Sequence, residues 1–182
     1  MLQILVPITP EGFDEKTQMF VDPVYYPLQL EHSLVSLSKW ESKWHKSFLS
    51  NPNKTDAEIM DYIRCMTITQ NVKPEIYEKL STENIKQINA YLEDSMTATY
   101  FAEEKSKKGS QRESVTSELI YYWMIALNIP FKCEKWHLNR LLTLIRVCNL
   151  KNTPPKKRSK KDILSRNAAL NQARRQQLNT KG

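Results

Sequence analysis

The sequence predicts an α+β chain that is predominantly α-helical: a small N-terminal antiparallel β ribbon, a helical layer, a central helical hairpin and a basic C-terminal helix. Three observations predict it. Apolar residues recur at steps of three and four through most of the chain from Ser33 to Asn152. Short β-branched stretches concentrate before Leu30. Only three glycines occur in 182 residues, and a helix-rich chain explains that shortage because loops and hairpin turns normally consume glycine. The resulting organisation is an N-terminal α+β part over 1–103 with short strands and three to four helices, a polar linker over 104–113, a helical hairpin over 114–152 and a basic helical tail over 153–182.

Met1 to Ile8 carries LQILVPI and is interrupted by Pro7, so it reads as a strand near a sheet edge. Thr9 to Pro23, with Pro10, Gly12 and Asp22-Pro23, reads as a loop. Val24 to Leu30 alternates loosely around Pro27 and supplies a second strand. Two strands alone are marginal, so the ribbon has to lean on helices.

From Ser33 the period changes. Leu34, Leu37, Trp40, Trp44 and Phe48 form one stripe of an amphipathic helix that ends before Asn51-Pro52. Burial in the core explains both tryptophans, and a face kept for a partner explains them too. His32 and His45 have no carboxylate at a telling spacing and read as polar rim positions. Thr55 starts the next helix, with Asp56 and Glu58 in its first turn where negative charge suits the helix dipole. Pro74 opens another at the first helical position, and Ser81 or Thr82 caps a third. Met96 to Phe101, MTATYF, reads as a third strand or as the end of this part, and the polar run from Ala102 to Glu113 reads as a linker.

The apolar mass concentrates in Ser114 to Asn149, which is expected to be the hub. Its first arm, Glu118 to Asn128, includes Tyr121, Tyr122 and Trp123 and is apolar almost all round, so it needs burial on several sides. Ser114 to Ser117 offer hydroxyl caps, and Ile129-Pro130 stops the helix. The second arm restarts after Phe131 and runs through Trp136, Leu138, Leu141, Leu142 and Ile145. Two antiparallel arms on a short connection follow. The charge-free run from Leu119 to Phe131 is 13 residues long, whereas a membrane span needs about 20, so no membrane is expected. The aromatic residues Trp40, Trp44, Tyr121, Tyr122, Trp123 and Trp136 are the candidates for protein binding, since large rings dominate contact surfaces.

Residues 151–182 hold ten Lys or Arg against one acid, a net +9, which leaves 17 basic and 19 acidic groups, a net −2, for the rest of the +7 chain. The basicity therefore belongs to the tail. Lys156, Lys157, Arg158, Lys160, Lys161, Arg174 and Arg175 are the candidates for contact with a polyanion or an acidic partner, with a solvated basic tail as the plainer reading. Ser159 and Asp162 have capping-box spacing at the start of this last helix, whose apolar stripe is thin.

No catalytic residue is assigned. No serine sits in a glycine-flanked elbow, and the glycine shortage removes phosphate-cradling loops. Cys65, Cys133 and Cys148 form no CxxC pair, and an odd number without an evident signal peptide points to a reducing cytosol. Cys133 and His137, at i and i+4, are the one candidate for metal ligation, though a cysteine in an apolar helix is more often a small hydrophobe. No metal or other cofactor is expected, and the chain is expected not to be an enzyme.

The stretches LEHSLVSLSKWESKWHKSFLS (Leu30 to Ser50), MTATYF (Met96 to Phe101), SELIYYWMIALNIPF (Ser117 to Phe131), WHLNRLLTLIRVCNLKN (Trp136 to Asn152) and the closing RNAALNQARRQQLNTKG resemble the tail assembly chaperones of tailed bacteriophages. The resemblance covers nearly the whole chain. It implies a non-enzymatic protein of the host bacterial cytoplasm that binds the tape measure protein during tail assembly and is absent from the finished virion. It carries over no binding residue. A structural tail or connector subunit, and a nucleic-acid-binding module acting through the basic tail, stand as alternatives, and self-association is a further partner expectation. Among them nucleic acid is the lesser partner, because the body has no excess of positive charge.

Overall fold

The computed structural model describes residues 1–9, 12–14, 19–101, 114–153 and 160–179, with backbone alone for 12–14, 19–21 and 160–163. Strand β1 (Leu2–Thr9) pairs antiparallel with β4 (Val24–Leu30) in the register Ile4↔Leu28 and Val6↔Tyr26. Ile4, Val6, Leu28 and Leu30 are buried while Leu5 and Tyr25 are exposed, the alternation expected of a half-buried ribbon. Pro7 and Pro27 are tolerated because the odd positions of both strands turn their backbone away from the partner strand. The Leu5 carbonyl accepts from Asn84 Nδ2 at 3.0 Å, and the Gln29 carbonyl accepts from the Ile68 amide at 2.8 Å. A missing proline N–H at such positions costs no ladder hydrogen bond.

The segment expected to be a loop between these strands contains a second ribbon, β2 (Gly12–Asp14) with β3 (Met19–Val21), paired Phe13↔Phe20. Gly12, expected in the loop, opens β2, and three-residue strands are too short to show alternation. On the other side of β4, residues 67–69 run alongside through the Leu30↔Thr67 bridge. Met96 to Phe101, by contrast, forms no strand; Met96 adopts φ 49°, and the segment runs on without ladder partners.

Helix α1 (Leu34–Trp44) starts at Ser33, whose hydroxyl accepts from the Ser36 amide while the Ser36 side chain accepts from Ser33, and ends at His45 in the left-handed region. Thr55 and Glu58 close α2 (Asp56–Met66) in the same reciprocal way, and Ser81 with Asn84 does so for α4 (Thr82–Glu93). Pro74 opens the five-residue α3 (Pro74–Glu78). Helix α5 (Ser117–Ala126) is capped by Thr116, and Asn128 at φ 53° turns the chain before Pro130. The second arm is not continuous. A 3-10 helix, Phe131–Lys135, precedes α6 (Leu138–Asn152), and α7 (Lys160–Leu178) closes the described chain. The fold is α+β and predominantly helical.

The common neighbour in the packing is α1, which lies against α2, α5 and the 3-10 helix, while α4 covers β1. The two arms around Pro130 are present in order, but the position expected of them as the hub is held by α1. Its stripe of Leu34, Leu37 and Trp40 is completely buried. At about 25 cal/mol per Å² of apolar surface, three such side chains supply several kcal/mol of hydrophobic stabilisation. The chain divides into two compact units, Met1–Asn149 and Leu150–Gly182.

Candidate functional site

Helix α5 has one face that the core does not use. Ile120 and Met124 are buried, whereas Tyr122 is 63 % exposed and Ile125 is 61 % exposed. These two stand three residues apart on the same side of the helix. Phe131, 56 % exposed at the start of the 3-10 helix, has its ring centroid 6.4 Å from that of Tyr121, which itself neighbours Ile125 one turn on. Phe131, Tyr121, Ile125 and Tyr122 thus form a continuous aromatic and aliphatic patch. Its position is fixed from the far side: the buried Glu41 carboxylate on α1 accepts from the Ser117 amide at 2.7 Å and from the Phe48 amide at 2.9 Å. A carboxylate on the first amides of a helix also complements its dipole. Tyr121 donates to Glu134 at 2.9 Å, and burial together with that carboxylate pushes its phenol up to about 12.

The other predicted aromatics divide. Trp40 is fully buried, its Nε1–H donating to the Glu58 carbonyl at 2.8 Å, so it is a core residue with no surface for a partner. Position at the centre of the α1 stripe is the reason. Trp44, one turn on, is half-buried, stacks on Trp40 and donates to Asp61 Oδ2 at 2.8 Å. Burial raises the Asp61 carboxyl, but its bonds to Lys43 and Trp44 more than offset this and hold it below the usual carboxylate range. Trp123 is half-buried against the core, and Trp136 is half-buried under the Arg140 guanidinium, 4.4 Å from its ring. Only Tyr121 and Tyr122 of the six therefore belong to the open patch.

His32 overturns the expectation of a rim position, whereas His45 is exposed. His32 is buried with Nδ1 2.6 Å from the Tyr62 hydroxyl and its ring 5.1 Å from that of His137. His137 Nε2 meets the Tyr91 carbonyl at 3.0 Å, while its Nδ1 is buried with no hydrogen-bond partner. Backbone pairing holds the rings together, since the Leu138 amide donates to the His32 carbonyl at 2.7 Å. Burial, with His137 beside it, pushes His32 down to about 3, so it is neutral at ordinary pH. Tyr62 is raised by burial and stays a phenol. This is a buried arrangement with His32 neutral, suited to fixing the core.

Cys133 and His137 do not share a helical face. Cys133 is buried in the 3-10 helix and His137 precedes α6. Among the described residues no group of three or more His, Cys, Asp or Glu is placed to hold a metal ion. Cys65 borders an open groove of about 350 Å³ beside the end of β4, with Lys39 and Lys135 also on its walls. Burial and the nearby Asp61 raise its thiol, which keeps it protonated and a poor nucleophile.

Of the basic candidates, Lys156, Lys157 and Arg158 lie outside the described residues, as do the predicted cap Ser159 and the linker 104–113. Lys160 and Lys161 open α7, and Arg174 and Arg175 are exposed in its last turns. No described helix is long and apolar enough to cross a membrane. No family model matches the chain, and neither a curated protein nor a solved structure is found that is similar to it.

Proposed function

We propose that this protein is a non-enzymatic tail assembly chaperone of a tailed bacteriophage that binds the tape measure protein in the host cytoplasm while the tail is built. The observation that carries the reading is the open α5 patch. Tyr122 and Ile125 on α5 and Phe131 at the start of the 3-10 helix are each more than half exposed, and the other side of α5 is anchored in the core. A monomer gains nothing from leaving such residues in water, and a contiguous aromatic and aliphatic patch marks a contact surface. Its shape suits the apolar side of an amphipathic helix laid across it, and the tape measure protein, in the family this chain resembles, is long and helical. The sequence resemblance, from Leu30 to the closing basic run, supplies the identity of the partner; the patch supplies a place for it.

Co-expression tests the proposal. The tape measure protein should remain soluble with this chain and precipitate without it, and equal precipitation in both cases would end the chaperone reading. Purified virions should contain no copies by mass spectrometry. Many copies per particle would favour a structural tail or connector subunit instead.

A further inference from the structure

Helix α7 carries a second surface with a different chemistry. Over 19 residues it holds Lys160, Lys161, Arg166, Arg174 and Arg175 against Asp162 alone, and it contains no aromatic residue. Residues 164–179 are all exposed, and Arg166, Arg174 and Arg175 take part in none of the described ion pairs. The order of its polar residues is not that of a merely solvated helix. Asn167, Asn171 and Arg174 stand at i, i+4 and i+7, and Lys160 lies seven residues before Asn167, so all four positions fall along one face. Arg175 and Lys161 flank that face on one side and Arg166 on the other. Asn and Arg are the side chains whose paired donors and acceptors match base edges, and flanking cations match phosphates.

We propose that α7 binds a nucleic-acid duplex, presenting Asn167, Asn171 and Arg174 to a groove and Arg166 and Arg175 to the backbone phosphates beside it. The helix is about 28 Å long, a little less than one turn of a duplex. A membrane surface fits it less well, because an interfacial helix needs a broad apolar face with anchoring aromatics. Here the positions of Ile163, Leu164, Leu170 and Leu178 are interleaved with those of Asn167, Asn171 and Arg174 on one side of the helix, so the apolar face is broken by polar and charged residues. A coiled-coil partner fits poorly too. Leu164, Asn171 and Leu178 follow a heptad step, but the companion positions three residues on are Asn167 and Arg174 rather than apolar.

The test is a fluorescence-anisotropy titration of the full chain against labelled DNA and RNA duplexes of about 20 base pairs, at salt from roughly 50 to 200 mM, with phosphatidylglycerol vesicles as competitor. Binding is expected to weaken at least tenfold across that range. Arg166→Ala with Arg175→Ala should lower the slope of log affinity against log salt by about 2. Asn167→Ala with Asn171→Ala should keep the slope but narrow the difference between duplexes of different sequence. Preference for DNA or for RNA identifies which duplex is the ligand. The proposal is overturned by no binding at the low salt, by double-arginine variants that bind like the parent, by asparagine variants with unchanged sequence preference, or by vesicles that compete better than duplex at equal phosphate. All these side chains are exposed, so alanine there leaves the folded body intact.

Discussion

His32 Nδ1 and the Tyr62 hydroxyl are 2.6 Å apart with both side chains sealed in the core, and this contact makes the fold sensitive to acid. Burial, the larger cause, and His137 push His32 down to about 3, against 6.5 in the unfolded chain. The unfolded state therefore binds a proton that the native state refuses between these values, and stability falls as pH falls through that window. The loss, complete only near pH 3, is on the order of 5 kcal/mol. Urea unfolding at pH 7, 5.5 and 4.5 should show stability dropping in the parent and dropping less steeply in His32→Gln. Parallel slopes in the two proteins would remove His32 as the cause. The interval from pH 7 to 5.5 separates it from Glu58, Asp61 and Glu118, whose lowered values cost stability only as pH falls into the ordinary carboxylate range.

Glu41 joins three segments through one carboxylate, taking the Phe48 amide on Oε1 and the Ser117 amide on Oε2. Glu41→Gln keeps the shape but points an NH₂ group at one of those buried amides. The expected cost is about 2 kcal/mol, from one lost charge-assisted hydrogen bond and one donor left unsatisfied. A shift in urea midpoint at constant slope measures it. Glu41→Gln unfolding at the parental midpoint would show that the two amides find other partners. Because Ser117 lies in the first turn of α5, amide exchange there should quicken more than in α2.

Trp40 and Trp44 share a stripe but not an environment. Trp40→Phe leaves a gap and takes away the donor to the Glu58 carbonyl, so about 2 to 3 kcal/mol should be lost. Trp44→Phe removes a bond to Asp61, which keeps its Lys43 partner, and should cost about 1 kcal/mol. Denaturant midpoints of the two variants decide the order, and a larger loss for Trp44 would place the centre of the stripe wrongly.

What the sequence made legible follows the range of each interaction. The caps at Thr55 and Ser81, the proline at the start of α3 and the stop at Pro130 act within four residues, and all are in place. Strand β1 was legible from its short β-branched run and β4 from loose alternation. His32 was not, because Tyr62 and His137, which seal it, come from distant parts of the chain and no spacing joins them. Nor was the open side of α5, since a helix apolar all round gives periodicity no side to prefer. The centre of the packing was misjudged for a related reason. Apolar mass is greatest around Pro130, but α1 is the helix that packs against α2, α5 and the 3-10 helix alike.

The α5 patch yields the sharpest contrast between binding and stability. Tyr122→Lys with Ile125→Lys replaces two exposed apolar groups by strong helix formers, and a lysine at 122 stands one turn after Glu118, a favourable pairing. Stability should change by less than about 0.5 kcal/mol, as for other surface substitutions that touch no special feature. Partner solubilisation in co-expression should nevertheless be lost, because two charges would have to be desolvated under an apolar helix face. Met124→Lys, on the buried side of the same helix, should instead unfold the protein. A Tyr122→Lys, Ile125→Lys double variant that keeps the partner soluble would detach the patch from binding, and one that unfolds would show that these side chains are held in the core after all.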